Sequence, residues 1–367
     1  MVYIRSTGNI SPQHSFGGLS LPDKLLLYPG DRMRCVEPDY TSFFDAKSLR
    51  RMSRIIRMGV AAAMECLHKA GDPAPDAIIT GTAYGCLEDT TVFLKRMVEN
   101  QEELLTPTAF IQSTHNTVGA QIALLLKCHE YNNTFVHRGF SFESALLDGI
   151  MLLHEGAADA GAADASATDA DALHEGAADV VARKGVRQVL VGAVDEITET
   201  SHAILRRFGL YRSGITGGEG AAFFLLSLEA SNGDLGRLEG LTTFYKPHNL
   251  IETAEHIQAF LTAHSLTVHD IDLVITGRNG NPVEDDIYDQ LEFGIFSGID
   301  AEPYKHLCGE YPTATAFALW YACSWLKKGS DAVVGAAVGG IGDPTRRVLI
   351  YNHYQNVHHS LFLIASC

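Results

Sequence analysis

Apolar residues fall into two kinds of run along this chain. Short continuous stretches such as "DAIITGTAYG" (76–85), "QVLVGAVDE" (188–196), "GAAFFLLSLE" (220–229), "DIDLVITGRNG" (270–280), "DAVVGAAVGGIG" (331–342) and "RRVLIYNHY" (346–354) read as strands buried on both faces. Between them lie segments with apolar residues every three or four positions. "SLRRMSRIIRMGVAAAMECLHKAG" (48–71) predicts a long helix closed by Gly71, and 88–103, 251–265 and 311–328 predict further helices. "TPTAFIQSTHNTVGAQIALLLKC" (106–128) reads as a loop entering a buried helix. Strands alternating with helices predict an α/β protein with buried sheets, and the alternation runs through the chain twice, as one duplicated fold would.

One junction invites chemistry. In "YNNTFVHRGFSFESALLDG" (131–149), Thr134 to His137 predicts a strand, Arg138–Gly139 a tight turn, and Ser141 onward an amphipathic helix. A strand turning sharply into a helix N-terminus presents free N–H groups that favour a thiolate or oxyanion. The turn nonetheless carries arginine, glycine and phenylalanine.

Composition narrows the picture. The 367 residues are 46% hydrophobic and 20% charged, with ample material for a core. The formal net charge of −16 argues against nucleic acid and anionic membranes as partners. Seven scattered cysteines form no CxxC pair, which predicts a reducing compartment, and no metal site is expected. The N-terminus shows no secretory pattern and no apolar run reaches the ~20 residues of a membrane span, so a cytoplasmic location is expected. "LHEGAAD" occurs at 153–159 and again at 173–179, and the Ala/Asp-rich sequence around it, about 159–188, reads as a solvent-exposed insertion.

Six motifs in order resemble the β-ketoacyl-acyl-carrier-protein synthases of the thiolase superfamily. The helix "RRMSRIIRMGVAAAMECLHKAG", the strand end "ITGTAYG" and the turn and strand "GGEGAAFFLLSLE" are similar to elements of their first half. "DIDLVITGRNGNPVEDD", the pair Lys305 and Gly309, and "VGGIGDPTRRVLIY" are similar to elements of their second. The resemblance implies a thiolase-like fold of two duplicated halves, residues 1–235 and 236–367, layered αβαβα. It also implies an acyl-phosphopantetheine substrate carried by an acyl carrier protein, with no separate cofactor.

The family condenses acyl units with one cysteine and two histidines. On the resemblance these positions fall on Gly139, Gly277 and Glu310, while the supporting lysine is kept as Lys305. Such a chain resembles the chain-length factors that pair with a catalytic ketosynthase and shape its acyl tunnel. Phe140, Phe142, Asn116 and Ile341 are then the candidate pocket-lining residues. Two other readings stay open: an active enzyme using Ser141 with His137 or His115, and a homodimeric scaffold that binds acyl carrier protein. Cys86 and Cys308 read as small buried cysteines, and Ser141 as a helix cap. Arg50, Arg51, Arg54 and Arg57 read as a solvated helix face, with docking of an acidic carrier protein as the alternative. His358 and His359, adjacent, point to different sides and suggest no metal.

Overall fold

The computed structural model describes residues 1–103, 105–166, 185–211, 214–334 and 345–367. Ten strands follow in chain order: β1 (Val2–Ile10), β2 (Ala77–Gly81), β3 (Tyr131–Phe135), β4 (Gln188–Asp195), β5 (Gly220–Ser227), β6 (Gly236–Tyr245), β7 (Leu273–Thr276), β8 (Asp300–Pro303), β9 (Arg347–Tyr354) and β10 (His358–Ala365). Their spatial order is β3-β2-β4-β5-β1-β6-β10-β9-β7-β8. Within β1–β5 the order is third, second, fourth, fifth, first, and within β6–β10 it is the same. In each set the first two contacts are parallel and the next two antiparallel. The fold is therefore duplicated at the level of topology. Among the described strands, the two sets join where Val2–Ile4 pairs with Gly236–Leu238.

Helices fill three layers around these strands. Arg54–Lys69 and Thr117–Leu126 cover one outer face, where Ile55, Ile56, Met58 and Val118 meet Leu190, Phe223 and Leu225. Leu250–Ala263 and Pro282–Phe293 cover the other, around Ile257, Leu261 and Tyr288. Ser141–Ser166 and Thr315–Val334 lie between the sheets, in a core containing Phe142, Leu146, Phe317 and Trp320. Continuous apolar strands suit this arrangement, since β4 and β5 are covered on both faces.

Several expectations change. The first helix starts at Arg54, not Ser48, because Ala46–Leu49 forms a separate short turn of helix and buried Met52 interrupts the path. Asp331–Val334 continues the helix from Thr315 instead of opening a strand. Ile341 and most of the insertion at 159–188 lie outside the described residues. Helix Thr117–Leu126 is not buried throughout: Leu124 and Leu125 face outward. No described helix is long and apolar enough to cross a membrane.

The arginine face divides. Arg54 forms a two-pronged ion pair with Glu219 (2.7 and 2.6 Å), whose side chain is fully buried and also accepts the backbone N–H of Cys35 and Ile197. Arg57 lies over the Tyr40 ring. Arg50 and Arg51 alone remain exposed. Removing one partner of a buried pair strands the other charge, so Arg54→Ala lowers the unfolding free energy by about 3–5 kcal/mol in urea titration. Arg50→Ala changes it by less than about 0.5 kcal/mol.

Candidate functional site

The elbow forms, but its strand lies earlier than expected, at Tyr131–Phe135 instead of Thr134–His137, because the ladder with β2 ends at Phe135. β3 leads into a single 3-10 turn, Arg138–Phe140, and the helix begins at Ser141. Arg138 adopts the left-handed region at φ 49°, a strained conformation for a residue with a side chain. Ser141 is buried and locks the turn: its hydroxyl accepts from the His137 backbone N–H (2.8 Å) and donates to the Arg138 carbonyl (2.8 Å). Both sides of that hydroxyl are thus engaged in holding the backbone. The His137 ring is exposed and meets Ser144, at 3.4 Å, instead of Ser141.

Gly139 has no room for a side chain. A Cβ there would stand 2.7 Å from Tyr354 Cβ and 3.0 Å from His358 Cβ. Both neighbours come from the β9–β10 hairpin, where they pair across the strands. Gln355 and Asn356 turn that hairpin at φ 59° and 50°, the left-handed geometry that matches strand twist. Phe140 packs edge-on against His358, with centroids 4.7 Å apart. His359, on the opposite face of β10, stacks on Phe244.

Gly277 is filled in the same way. A Cβ there would collide with Asn352 Oδ1 and approach the Tyr288 hydroxyl. Asn352 Oδ1 accepts from Tyr304 Oη (2.8 Å), and Tyr288 Oη accepts from the His353 backbone N–H (3.1 Å). Here a buried polar network occupies the space a larger residue 277 would need.

Glu310 pairs with Lys305. Its Oε2 accepts from Lys305 Nζ (2.8 Å) and Asn279 Nδ2 (2.9 Å), with both charged side chains almost fully buried. Lys305 also donates to the His353 carbonyl (3.0 Å). Burial raises the Glu310 carboxyl above its ordinary value, while Lys305 and Asn279 pull it back. A carboxylate here attracts donors, so the local polarity is inverted relative to an imidazole that donates to an oxyanion.

A cavity of about 530 Å³ opens over these groups, lined by Tyr84, Arg138, Tyr211, Glu284, Glu310 and Tyr354 among others. The Tyr84 and Tyr354 hydroxyls meet at 3.1 Å. Beneath it, Asp195 is buried and accepts from Thr82 Oγ1 (2.9 Å), Ala83 N (2.9 Å), Tyr84 N (3.3 Å) and Thr313 Oγ1 (2.8 Å). Burial pushes its carboxyl up to about 6 against the pull of these donors.

The remaining candidates are dispersed. Phe142 lies in the central core between Phe224 and Phe362, fully buried. Asn116 lines a different cavity, about 660 Å³, beside β3 with Lys127 and His129. His115 is exposed, its ring over Gly85. Burial raises the Cys86 and Cys308 thiols far above the usual range, against thiolate formation. The described residues hold no cluster of histidine, cysteine or carboxylate suited to a metal ion.

Sequence reasoning passed over Tyr84, Asn352 and Tyr354. The signal was present: "YNHY" puts polar residues into a strand otherwise apolar and fully buried. Also unforeseen was Glu143, two residues into the helix. Its carboxyl faces the Thr315 and Ser360 hydroxyls without a hydrogen bond of ordinary length, and burial pushes it up to about 7.

Two outcomes follow from packing and burial. Gly139→Ala destabilises the fold by about 1–3 kcal/mol, and in a Tyr354→Ala background the cost falls, a coupling that a urea double-mutant cycle detects. Glu143 has a folded-state pKa above its unfolded one, so its contribution is present at low pH and is lost as pH rises from about 4.5 to about 7. Glu143→Gln therefore gains on the native protein across that window, by on the order of 3 kcal/mol at pH 8, with a flat difference above it.

Comparisons with known proteins bear on the fold. The N-terminal domain of β-ketoacyl synthases matches residues 35–164. No curated protein sequence matches the chain. A chain of the type II PKS acyl-carrier protein in complex with its ketosynthase bound to the hexaketide superposes with a TM-score of 0.71 at 13% identity, covering 100% of this chain and 99% of that one. The ishigamide ketosynthase/chain length factor gives 0.71 at 15% identity, covering 99% and 98%. A β-ketoacyl synthase from Burkholderia phymatum STM815 gives 0.67 at 13%, covering 100% and 99%. The chain has the thiolase-like fold of the ketosynthases over its whole length, and a ketosynthase sequence signature over its first part.

Proposed function

We propose that this chain is a non-condensing, ketosynthase-like subunit that pairs with a catalytic ketosynthase and shapes the tunnel in which an acyl chain grows. The observation that carries this reading is the state of the three positions. Two are packed by Tyr354, His358, Asn352 and Tyr288, and the third is a carboxylate tied to Lys305. No thiol can stand at the elbow, and no imidazole at 277 or 310 can assist decarboxylation.

The surface around the elbow supports pairing. β3 is the outermost strand of its set, with one edge free of any described partner. Exposed Leu124 and Leu125 lie on the helix to one side of it, and Leu147 and Met151 on the helix to the other, with Tyr131 and Val136 at the strand. An unpaired edge with flanking apolar side chains is a ready surface for another chain. A partner of the same fold would add its own strand there. In this reading a cytoplasmic acyl carrier protein brings the phosphopantetheine-linked chain to the pair, in polyketide, polyene or fatty-acid assembly, with no metal or separate cofactor.

Intact-mass measurement after incubation with acyl and malonyl carrier proteins tests the first half. No covalent adduct and no condensed product is expected, and an acyl adduct overturns the reading. Co-expression with a ketosynthase bearing an intact cysteine and two histidines tests the second. The two chains co-purify, and Leu124→Asp/Leu147→Asp abolishes co-purification. Independent elution of the native pair, with unchanged product length, rejects it.

A further inference from the structure

The cavity over the elbow carries a hydrogen-bonding group that the protein leaves unused. Tyr211 is only 5% exposed and lines the cavity, and its hydroxyl has no hydrogen-bond partner among the described residues, yet that oxygen is not sealed from solvent. Tyr84 and Tyr354 line the same cavity, and their hydroxyls meet each other at 3.1 Å. Whichever of the two donates, the other keeps its hydrogen unspent. Burial raises all three phenols above their ordinary value, so each keeps its proton and remains a donor. A largely buried donor without an acceptor is costly, and a ligand that accepts from it relieves the cost.

Charge counting selects against an ion. Glu310 is paired with Lys305, and its second oxygen is sealed inside the protein. The other charged groups lining the cavity are one of each sign, Arg138 and Glu284. Glu284 accepts from the Asn279 and Asn281 amides, and neither it nor Arg138 forms an ion pair among the described residues. The lining is therefore neutral in sum. An anion that suits Arg138 meets Glu284 in the same space, and a cation that suits Glu284 meets Arg138. A neutral ligand with a hydrogen-bond acceptor is opposed by neither.

The walls suit a short apolar body. Leu205 and Ile215 line the cavity, and Phe208 stands at its rim 80% exposed, an apolar ring that a ligand would cover. The volume, about 530 Å³, lies within the range of small-molecule sites. Three of the lining residues, Arg138, Tyr211 and Gln355, hold left-handed backbone at φ 49°, 57° and 59° although each carries a side chain. Strain of this kind collects around ligand sites.

We infer that this cavity binds an uncharged carbonyl compound, its carbonyl oxygen accepting from the Tyr211 hydroxyl beside the Tyr84–Tyr354 pair and its short apolar or aromatic body lying against Leu205, Phe208 and Ile215. A carbonyl oxygen has two lone pairs and no hydrogen, so it accepts without bringing a donor or a charge. The inference rests on the non-condensing reading, because the cavity then ends on packed residues and holds its ligand without reacting with it. The compound is either free or part of an acyl chain on a carrier protein.

Isothermal titration calorimetry of the full chain tests it with acetophenone, ethylbenzene, benzoate and benzylamine at constant ionic strength. Acetophenone binds one to one, at least about fivefold more tightly than ethylbenzene, which has the ring and no acceptor, and more tightly than either ion. Tyr211→Phe keeps the ring and breaks no hydrogen bond within the protein, so the variant folds. It weakens acetophenone at least about fivefold and leaves ethylbenzene within about twofold. No acetophenone binding, equal or tighter binding of ethylbenzene, benzoate or benzylamine, or unchanged acetophenone affinity in Tyr211→Phe overturns the inference. A carrier protein bearing an acyl chain with an internal ketone that displaces acetophenone assigns the site to a carried chain, and failure to displace assigns it to a free compound. None of these results touches the intact-mass test, so a failed carbonyl site and a failed non-condensing reading are told apart.

Discussion

One buried carboxylate holds the two halves of this protein in register. Asp195, at the end of β4, gathers three donors from the β2 strand end and one from Thr313, which belongs to the other half. The backbone pairing between the halves is short: three residues of β1 against three of β6, and a single bridge between Gly217 and Glu310. The Asp195 cluster lies at the opposite end of those strands, beneath the cavity. It fixes Tyr84, which meets Tyr354, which in turn occupies the space over Gly139. Thr313 stands three residues after Glu310, so the same contact places the carboxylate and its lysine. Four donors offset the cost of burying one charge, which is the condition under which a charge is tolerated inside a protein.

From that fixed point the site is best understood as a rebuilt interior. Tyrosine, asparagine and histidine side chains from β9 and β10 fill the space over Gly139 and Gly277, and they are hydrogen-bonded or stacked where they lie. The ion pair of Lys305 with Glu310 is the one strongly charged element, and it is screened from water on nearly all sides. The carboxylate at 310 gives the lysine a polar partner and draws a second donor from Asn279.

The repeated alternation of continuous apolar strands and periodic helices made the duplicated α/β fold legible, because strands covered on both faces leave that pattern. β1, β6, β8 and β10 escaped notice. β1 carries buried Ser6, Thr7 and Asn9, and β6 and β8 are only partly covered, so neither continuity nor strict alternation marks them. The elbow was legible as strand, turn and helix, but Ser141, expected to cap the helix, instead ties down the turn before it. The filling of the two glycine positions was not. It depends on which side chains arrive from β9 and β10, more than 70 residues from Gly277 and more than 200 from Gly139, and a local pattern carries no such information. Phe142 shows the same limit: two positions along a helix from Phe140, it turns to the opposite side and enters the core.

The hairpin that presses Tyr354 and His358 onto Gly139 acts as a ratchet on sequence change. A single substitution that introduces a thiol at the elbow meets an occupied site and costs stability, so it is removed before it can be useful. A single substitution that clears the hairpin opens a hole with nothing to fill it. A larger residue at 139, or at 277 beside Asn352, is accommodated without strain or a hole only when both sides of the contact change together.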